Sequence, residues 1–154
     1  FAQDRTVFWR NYRVGGMPQT AGSLGLRYNS PKFWFVGFNV NFFDDLYLDP
    51  NPDRCTSEAI GNFFDSDPQV SDLLDQTKLD ANHTVDVFLG KSWMYKRKYR
   101  IAVNATVSNL LDNQDFRIGG FEQLRYDRTD IDRFPPRFSY LFGRNYFAMV
   151  TFSF

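Results

Sequence analysis

The 154-residue sequence predicts an all-β fold, an antiparallel transmembrane β-barrel segment with two long extracellular loops. Three observations predict it. Apolar and polar side chains alternate at period two in five stretches. The connections between those stretches are short and long in turn. Aromatic residues collect at one end of the alternating apolar faces, as they do at a membrane interface.

Taken in order, Thr6 to Val14 alternates loosely and reads as either strand or outer loop. The first clear strand spans about 19–29, with Thr20, Gly22, Leu24, Leu26 and Tyr28 on one face. Gln19, Ala21, Ser23, Gly25 and Arg27 lie opposite. The second spans about 33–43, with Trp34, Val36, Phe38, Val40 and Phe42 together. Gly37, Asn39 and Asn41 share its other face with Phe33 and Phe35. The third, about 84–95, sets Val85, Val87, Leu89, Trp93 and Tyr95 on one face, with Lys91 among them. Either a β-bulge or a snorkelling lysine accommodates that charge, and the alternation alone does not separate the two. The fourth, about 98–109, carries Tyr99, Ile101, Val103, Ala105 and Val107 against Arg100, Ala102, Asn104, Thr106 and Ser108. The fifth, about 144–154, carries Tyr146, Ala148, Val150, Phe152 and Phe154.

Asn29-Ser30-Pro31-Lys32 and Lys96-Arg97-Lys98 are short turns, whereas the segments at about 44–83 and 110–143 are long. Short turns at one rim and long loops at the other are the outer-membrane barrel pattern. Within the first loop, Asp67-Pro68 followed by Val70, Leu73, Leu74 and Thr77 predicts one short helix. Within the second, Gly119-Gly120 and Pro135-Pro136 read as chain-turning signals.

With the short turns on one side, Tyr28, Trp34, Trp93, Tyr95 and Tyr99 form an expected aromatic girdle, joined by Phe152 and Phe154. Phe42 and Tyr146 stand at the opposite end. The eight-residue step from Trp34 to Phe42 spans roughly 20 Å at about 3.3 Å per residue and a tilt near 40°. That approximates an apolar band of about 25 Å. An ordinary two-sheet core explains the alternation but not the shared level of the rings.

Composition narrows the function. Lys plus Arg and Asp plus Glu both number 18, so the chain lacks the positive surplus of a nucleic-acid binder. One cysteine, Cys55, excludes an internal disulfide framework, and one histidine, His83, excludes a His-paired zinc site. No catalytic motif surrounds either residue, so no enzyme is expected. Asp65, Asp67, Asp72 and Asp75 offer a loop calcium site, but Gln76 stands where the EF-hand pattern needs Glu. The expected cofactor list is therefore empty. Arg117, Arg125, Arg128, Arg133, Arg137 and Arg144 are interleaved with acids in the second loop, which favours mutual pairing. Phe121, Arg125, Tyr126 and Tyr140 are the candidate loop contacts to a sugar or aromatic ligand.

Five strands do not close a membrane barrel, since single-chain barrels begin at about eight. An open edge in lipid leaves backbone groups unpaired. The chain, which opens at Phe1 without a signal sequence, is therefore expected to be the C-terminal part of a larger barrel. Tyr146, Ala148, Val150, Phe152 and Phe154 resemble the terminal insertion signal of bacterial outer-membrane barrels.

These strings, with "RTVFWRNYRVGGMPQTAGSLGLRYNSPKFWFVGFNVNFFDDLYLD", "GKSW", "NATVSNLLDNQDFRIGGFEQLRYD" and "RFPPRFSYLFGRNYFAMVTFSF", resemble the C-terminal barrel of TonB-dependent outer-membrane transporters, especially the SusC-like class. The resemblance implies the last five strands of a barrel of about 22. It implies import of a glycan, peptide, siderophore or cobalamin across the bacterial outer membrane, with long loops extracellular and C-terminus periplasmic. It implies as partners an N-terminal plug, further barrel strands, the TonB complex, a surface SusD-like lipoprotein and membrane lipid. Arg27, Asn39, Asn41, Asp86, Arg100 and Asn104 are then the candidate lumen or plug contacts. Two other classes stay open: a structural barrel subunit of an assembly or secretion complex, and a secreted aromatic-rich sugar-binding β module.

Overall fold

The computed structural model describes residues 5–9, 11–61, 74–125, 127, 130 and 132–154. The described residues form β1 (Thr20–Ser30), β2 (Trp34–Asp44), β3 (Leu46–Tyr47), β4 (Lys78–Leu79) and β5 (Asn82–Tyr95), then β6 (Tyr99–Ser108), β7 (Arg117–Phe121), β8 (Arg137–Tyr140) and β9 (Asn145–Ser153). A 3₁₀ turn at Pro52–Cys55 and a single α-helical turn, α1 (Ser57–Ile60), complete the set. The fold is all-β with antiparallel sheets, and the five-stranded sheet is open rather than closed into a barrel. No helix among the described residues is long and apolar enough to cross a membrane, which does not bear on strands.

The chain divides into two compact units. The sheet unit holds the five long strands in the order β1-β2-β5-β6-β9. Their ends fall within two residues of those read from the alternation. Each long strand neighbours the next long strand in sequence, the meander that hairpin connections produce. β2 pairs with β5 in unbroken register from Trp34↔Lys91 to Phe43↔Asn82. β5 continues without a break against β6 from Val87↔Val107 to Tyr95↔Tyr99. Lys91 therefore sits on the apolar face without a bulge, and its ammonium reaches along that face to lie 5.5 Å from the Trp93 ring centre.

The loop unit comprises Phe1–Thr20, Asp44–Asp80 and Arg117–Tyr140. Sequence reading treats the last two segments as loops, yet they carry two small sheets, β3-β4 and β7-β8. Leu46, Leu48, Cys55, Ala59 and Leu79 form a buried core. Burial of each leucine stabilises this unit by roughly 2 kcal/mol. Asp49 stitches the segments together: its N–H donates to the Gly120 carbonyl at 3.1 Å, and its carbonyl accepts from Glu122 N–H at 3.0 Å.

Gly119-Gly120 lies within strand β7 rather than at a turn. The glycine allows close approach instead: at φ 146°, a Cβ on Gly120 would stand 2.1 Å from the Arg137 carbonyl oxygen. Val7 bridges to Thr56, and Thr6 to Val14 otherwise forms no strand among the described residues. The helix expected after Asp67-Pro68 falls mostly on residues outside the described set.

Candidate functional site

Strand pairing sorts the five-stranded sheet into two chemically distinct faces. Cross-strand partners share a face, so Trp34, Val36, Phe38, Val40 and Phe42 of β2 lie with the odd residues of β5 and β6 and the even residues of β9. Tyr28 joins them, its ring centre 5.4 Å from that of Trp34. This face is apolar and exposed: Leu24 is 67%, Val150 68% and Phe152 61% accessible. The expected insertion residues Tyr146, Ala148, Val150, Phe152 and Phe154 are all exposed. The expected girdle residues Trp34, Trp93, Tyr95 and Tyr99 occupy three successive cross-strand rows at the short-turn end, where Trp93 also shares a row with Ile101 and Phe152. At the opposite end Phe42 pairs with His83, with ring centres 6.3 Å apart.

The other face is polar at one end and stacked at the other. Toward the long-loop end, Ser23 Oγ donates to Asn41 Oδ1 at 2.9 Å. Asn41 Nδ2 donates to Thr84 Oγ1 at 3.2 Å and to Asp86 Oδ2 at 2.9 Å. Asn109 N–H donates to the second Asp86 oxygen at 3.0 Å. Asn41 and Asp86, read from sequence as lumen contacts, are thus directly joined, with Asn39 in register opposite Asp86.

Toward the short-turn end, rings lie over glycines. Phe35 is in register with Gly90, and Gly37 with Phe88, the two rings 6.3 Å apart. Arg27 stacks its guanidinium 4.0 Å from the Phe35 ring centre. Arg27, Arg100 and Asn104, with Asn29, Phe35 and Ser92, line a hollow of about 270 Å³. Neither arginine has a carboxylate partner among the described residues.

The candidate loop contacts do not converge. Phe121 pairs with Arg137 and Tyr140 with Arg117, at opposite ends of the β7-β8 ladder. Arg125 is exposed, and Tyr126 lies outside the described residues. Ion pairing within the second loop is seen at Arg133–Asp127, 2.6 Å. Glu122 instead turns to the first loop segment, where it accepts from Asn51 N–H at 2.9 Å and faces Arg54 at 3.7 Å.

Sequence reading missed a second polar hollow, of about 310 Å³, lined by Arg13, Gln19, Thr20, Asp45 and Tyr47. Asp45 accepts from Lys78 Nζ at 2.6 Å and Thr20 Oγ1 at 2.8 Å. The hydrogen bond from Lys78, then that from Thr20, holds the Asp45 carboxyl below its ordinary range. The same contacts with Asp45 and Asp44 raise the Lys78 ammonium above its own.

Cys55 is buried, with its Sγ 3.2 Å from Tyr12 Oη, and His83 faces Phe42. Tyr12 also donates to the Leu74 carbonyl, and burial is the main force raising its pKa, followed by the contact with Cys55. Among the described residues no three His, Cys, Asp or Glu side chains gather as a cation site; Asp65, Asp67 and Asp72 lie outside them. No family model, curated protein or solved structure matches the chain.

Proposed function

We propose that the chain forms part of the wall of an outer-membrane β-barrel, with its apolar face toward lipid and its polar face toward an interior, in a TonB-dependent nutrient transporter. The observation that carries the wall reading is the exposed apolar face of an antiparallel meander whose opposite face carries a hydrogen-bonded polar cluster at its long-loop end, with Phe35, Phe88, Phe147 and Met149 elsewhere on it. In water each large apolar side chain left uncovered forgoes about 1.5–3 kcal/mol. Lipid covers such a face without a second protein layer. The outer edges of β1 and β9 carry no further strand among the described residues, and in hydrocarbon they require further strands.

The import reading rests on the sequence resemblance and on the polar face, which suits contact with a plug or a solute path.

The test is the natural polypeptide itself, extracted from outer membrane in detergent. Expected are a mass several times 18.1 kDa, heat-modifiable gel mobility and cross-linking to TonB. A barrel that never cross-links to TonB supports the assembly-subunit reading instead. A monomer stable in water without detergent overturns the membrane reading and favours a secreted sugar-binding module.

A further inference from the structure

The short-turn end of the sheet separates charge sharply. The chain as a whole has equal numbers of acidic and basic residues. Residues 28–34 and 91–101 hold Lys32, Lys91, Lys96, Arg97, Lys98 and Arg100 and not one Asp or Glu. None of these six cations has an ion-pair partner among the described residues. Register places the two turns at the same end of the sheet, since Trp34 at the start of β2 pairs with Lys91 late in β5.

Three of the cations are seated on rings of the rim. Lys91 lies 5.5 Å from the Trp93 ring centre, Lys96 5.5 Å from Tyr95, and Lys98 5.3 Å from Tyr99. Rings facing hydrocarbon with ammonium groups just beyond them match the layering of a bilayer surface.

The turn backbone gives an independent sign. Lys98 N–H donates to the Tyr95 carbonyl at 3.2 Å, and the two residues between have φ of 51° at Lys96 and 53° at Arg97. Turn positions in this left-handed region strongly favour Asn and Gly. Lys-Arg is a poor choice for the backbone here. A local rule broken without a packing gain points to function. In the other turn, Phe33 is also left-handed, at φ 58°, and its bulky ring is 76% exposed.

We infer that this rim docks on anionic phospholipid headgroups: the Lys96-Arg97 turn and Lys32 pair with lipid phosphates while the adjacent rings enter the leaflet. The inference rests on the membrane reading above and adds a lipid charge preference to it. Charge complementarity selects the occupant, because Lys32, Lys96, Arg97 and Lys98 of the two turns and Lys91 of the apolar face stand there with no acid among them, while Arg100 lies on the opposite face.

The test uses the natural polypeptide that contains this chain, refolded from denaturant into phosphatidylcholine vesicles with or without phosphatidylglycerol and measured by flotation. The informative variant is Lys96→Asn/Arg97→Gly, which removes two charges while installing the sequence the turn prefers, so loss of binding is not loss of the hairpin. Each basic residue near an anionic surface contributes about fivefold to partitioning, so the pair is expected to remove roughly 25-fold of the preference. Binding to phosphatidylcholine should not change. High salt should abolish the wild-type preference. Equal binding of wild type to both vesicle types overturns the lipid preference and leaves the membrane reading standing. Binding to neither vesicle overturns both.

Discussion

Gly90→Ala should destabilise the sheet unit, and removing one ring should reverse the sign. A Cβ on Gly90 would stand 2.4 Å from Asn104 Oδ1 and 2.5 and 2.6 Å from two Phe35 ring atoms. Ordinary contact begins near 3.4 Å, so the ring must retreat by about 1 Å. Overpacking of this kind costs about 1–3 kcal/mol. Alanine recovers about 0.5–1 kcal/mol relative to glycine in a strand. The expected net loss is about 1–2 kcal/mol. In a Phe35→Ala background the ring is gone, and the Asn104 amide is the movable end of a side chain. There Gly90→Ala should stabilise by about 0.5 kcal/mol, a coupling of roughly 2 kcal/mol. Gly37→Ala supplies the control. Its Cβ would meet Phe88 ring atoms at 2.4 and 2.6 Å but also the Leu26 carbonyl oxygen at 2.8 Å. Backbone does not yield as a side chain does, so Phe88→Ala should not rescue it. The assay is urea unfolding in detergent micelles followed by tryptophan fluorescence. If Gly90→Ala costs the same with and without Phe35, the ring-over-glycine account is wrong.

Other perturbations probe the remaining parts. Leu48→Ala, at a fully buried site, should cost about 2–5 kcal/mol and speed amide exchange within the loop unit; unchanged protection would contradict a true core there. The Asp45–Lys78 clasp carries a pH signature. The lowered Asp45 pKa stabilises fully above the ordinary carboxylate value and is lost as pH falls below about 4. The raised Lys78 pKa stabilises fully below its ordinary value and is lost as pH climbs past about 10.5. Lys78→Met should flatten both flanks of the melting-temperature profile, and an unaltered profile would remove the clasp from the account. Val36→Arg on the apolar face should cost about 2–4 kcal/mol in vesicles, and Asn39→Arg on the polar face far less; equal costs would sink the lipid-facing assignment. Deleting Phe154 in the full-length protein should lower the yield of assembled barrel, and unchanged heat-modifiable mobility would argue against an insertion signal.

The long strands were legible because one side chain in two carries the pattern, and that period survives without knowledge of neighbours. The polar partners Asn41 and Asp86 could be assigned to one face for the same reason. Their hydrogen bond could not, because it depends on the β2–β5 register, which no single strand encodes. The pairing of Phe35 with Gly90 and of Phe88 with Gly37 was hidden likewise. The loop unit was read as loop because β3 and β4 are two residues long, too short for any period. Its core leucines are brought together from segments about 30 residues apart, Leu48 beside Thr77 and Leu46 opposite Leu79. Gly119-Gly120 misled because glycine marks close backbone approach as well as turns.

The distribution of side chains along the exposed face bears on what covers it. A protein layer packed on a sheet is thickest at the centre, so large rings belong in the middle of the strands. This face is arranged the other way. Its middle rows hold Leu24, Leu26, Val36, Val40, Val87, Leu89, Ala105 and Ala148, with Phe38 and Tyr146, which share one cross-strand row, the exceptions among the described residues. Its ends hold Trp34, Trp93, Tyr95 and Tyr99 on one side and Phe42 and His83 on the other; Tyr146, expected at that far end, instead shares the Phe38 row. Aliphatic groups between two amphipathic bands suit hydrocarbon between two headgroup layers. Beyond one band the turns carry cations and no acid, whereas beyond the other Arg144 stands beside Asp112, so the two ends are chemically unequal. On the membrane reading proposed above, that inequality would turn the basic end toward the more anionic leaflet, and the vesicle experiment measures the charge preference on which such an orientation would rest.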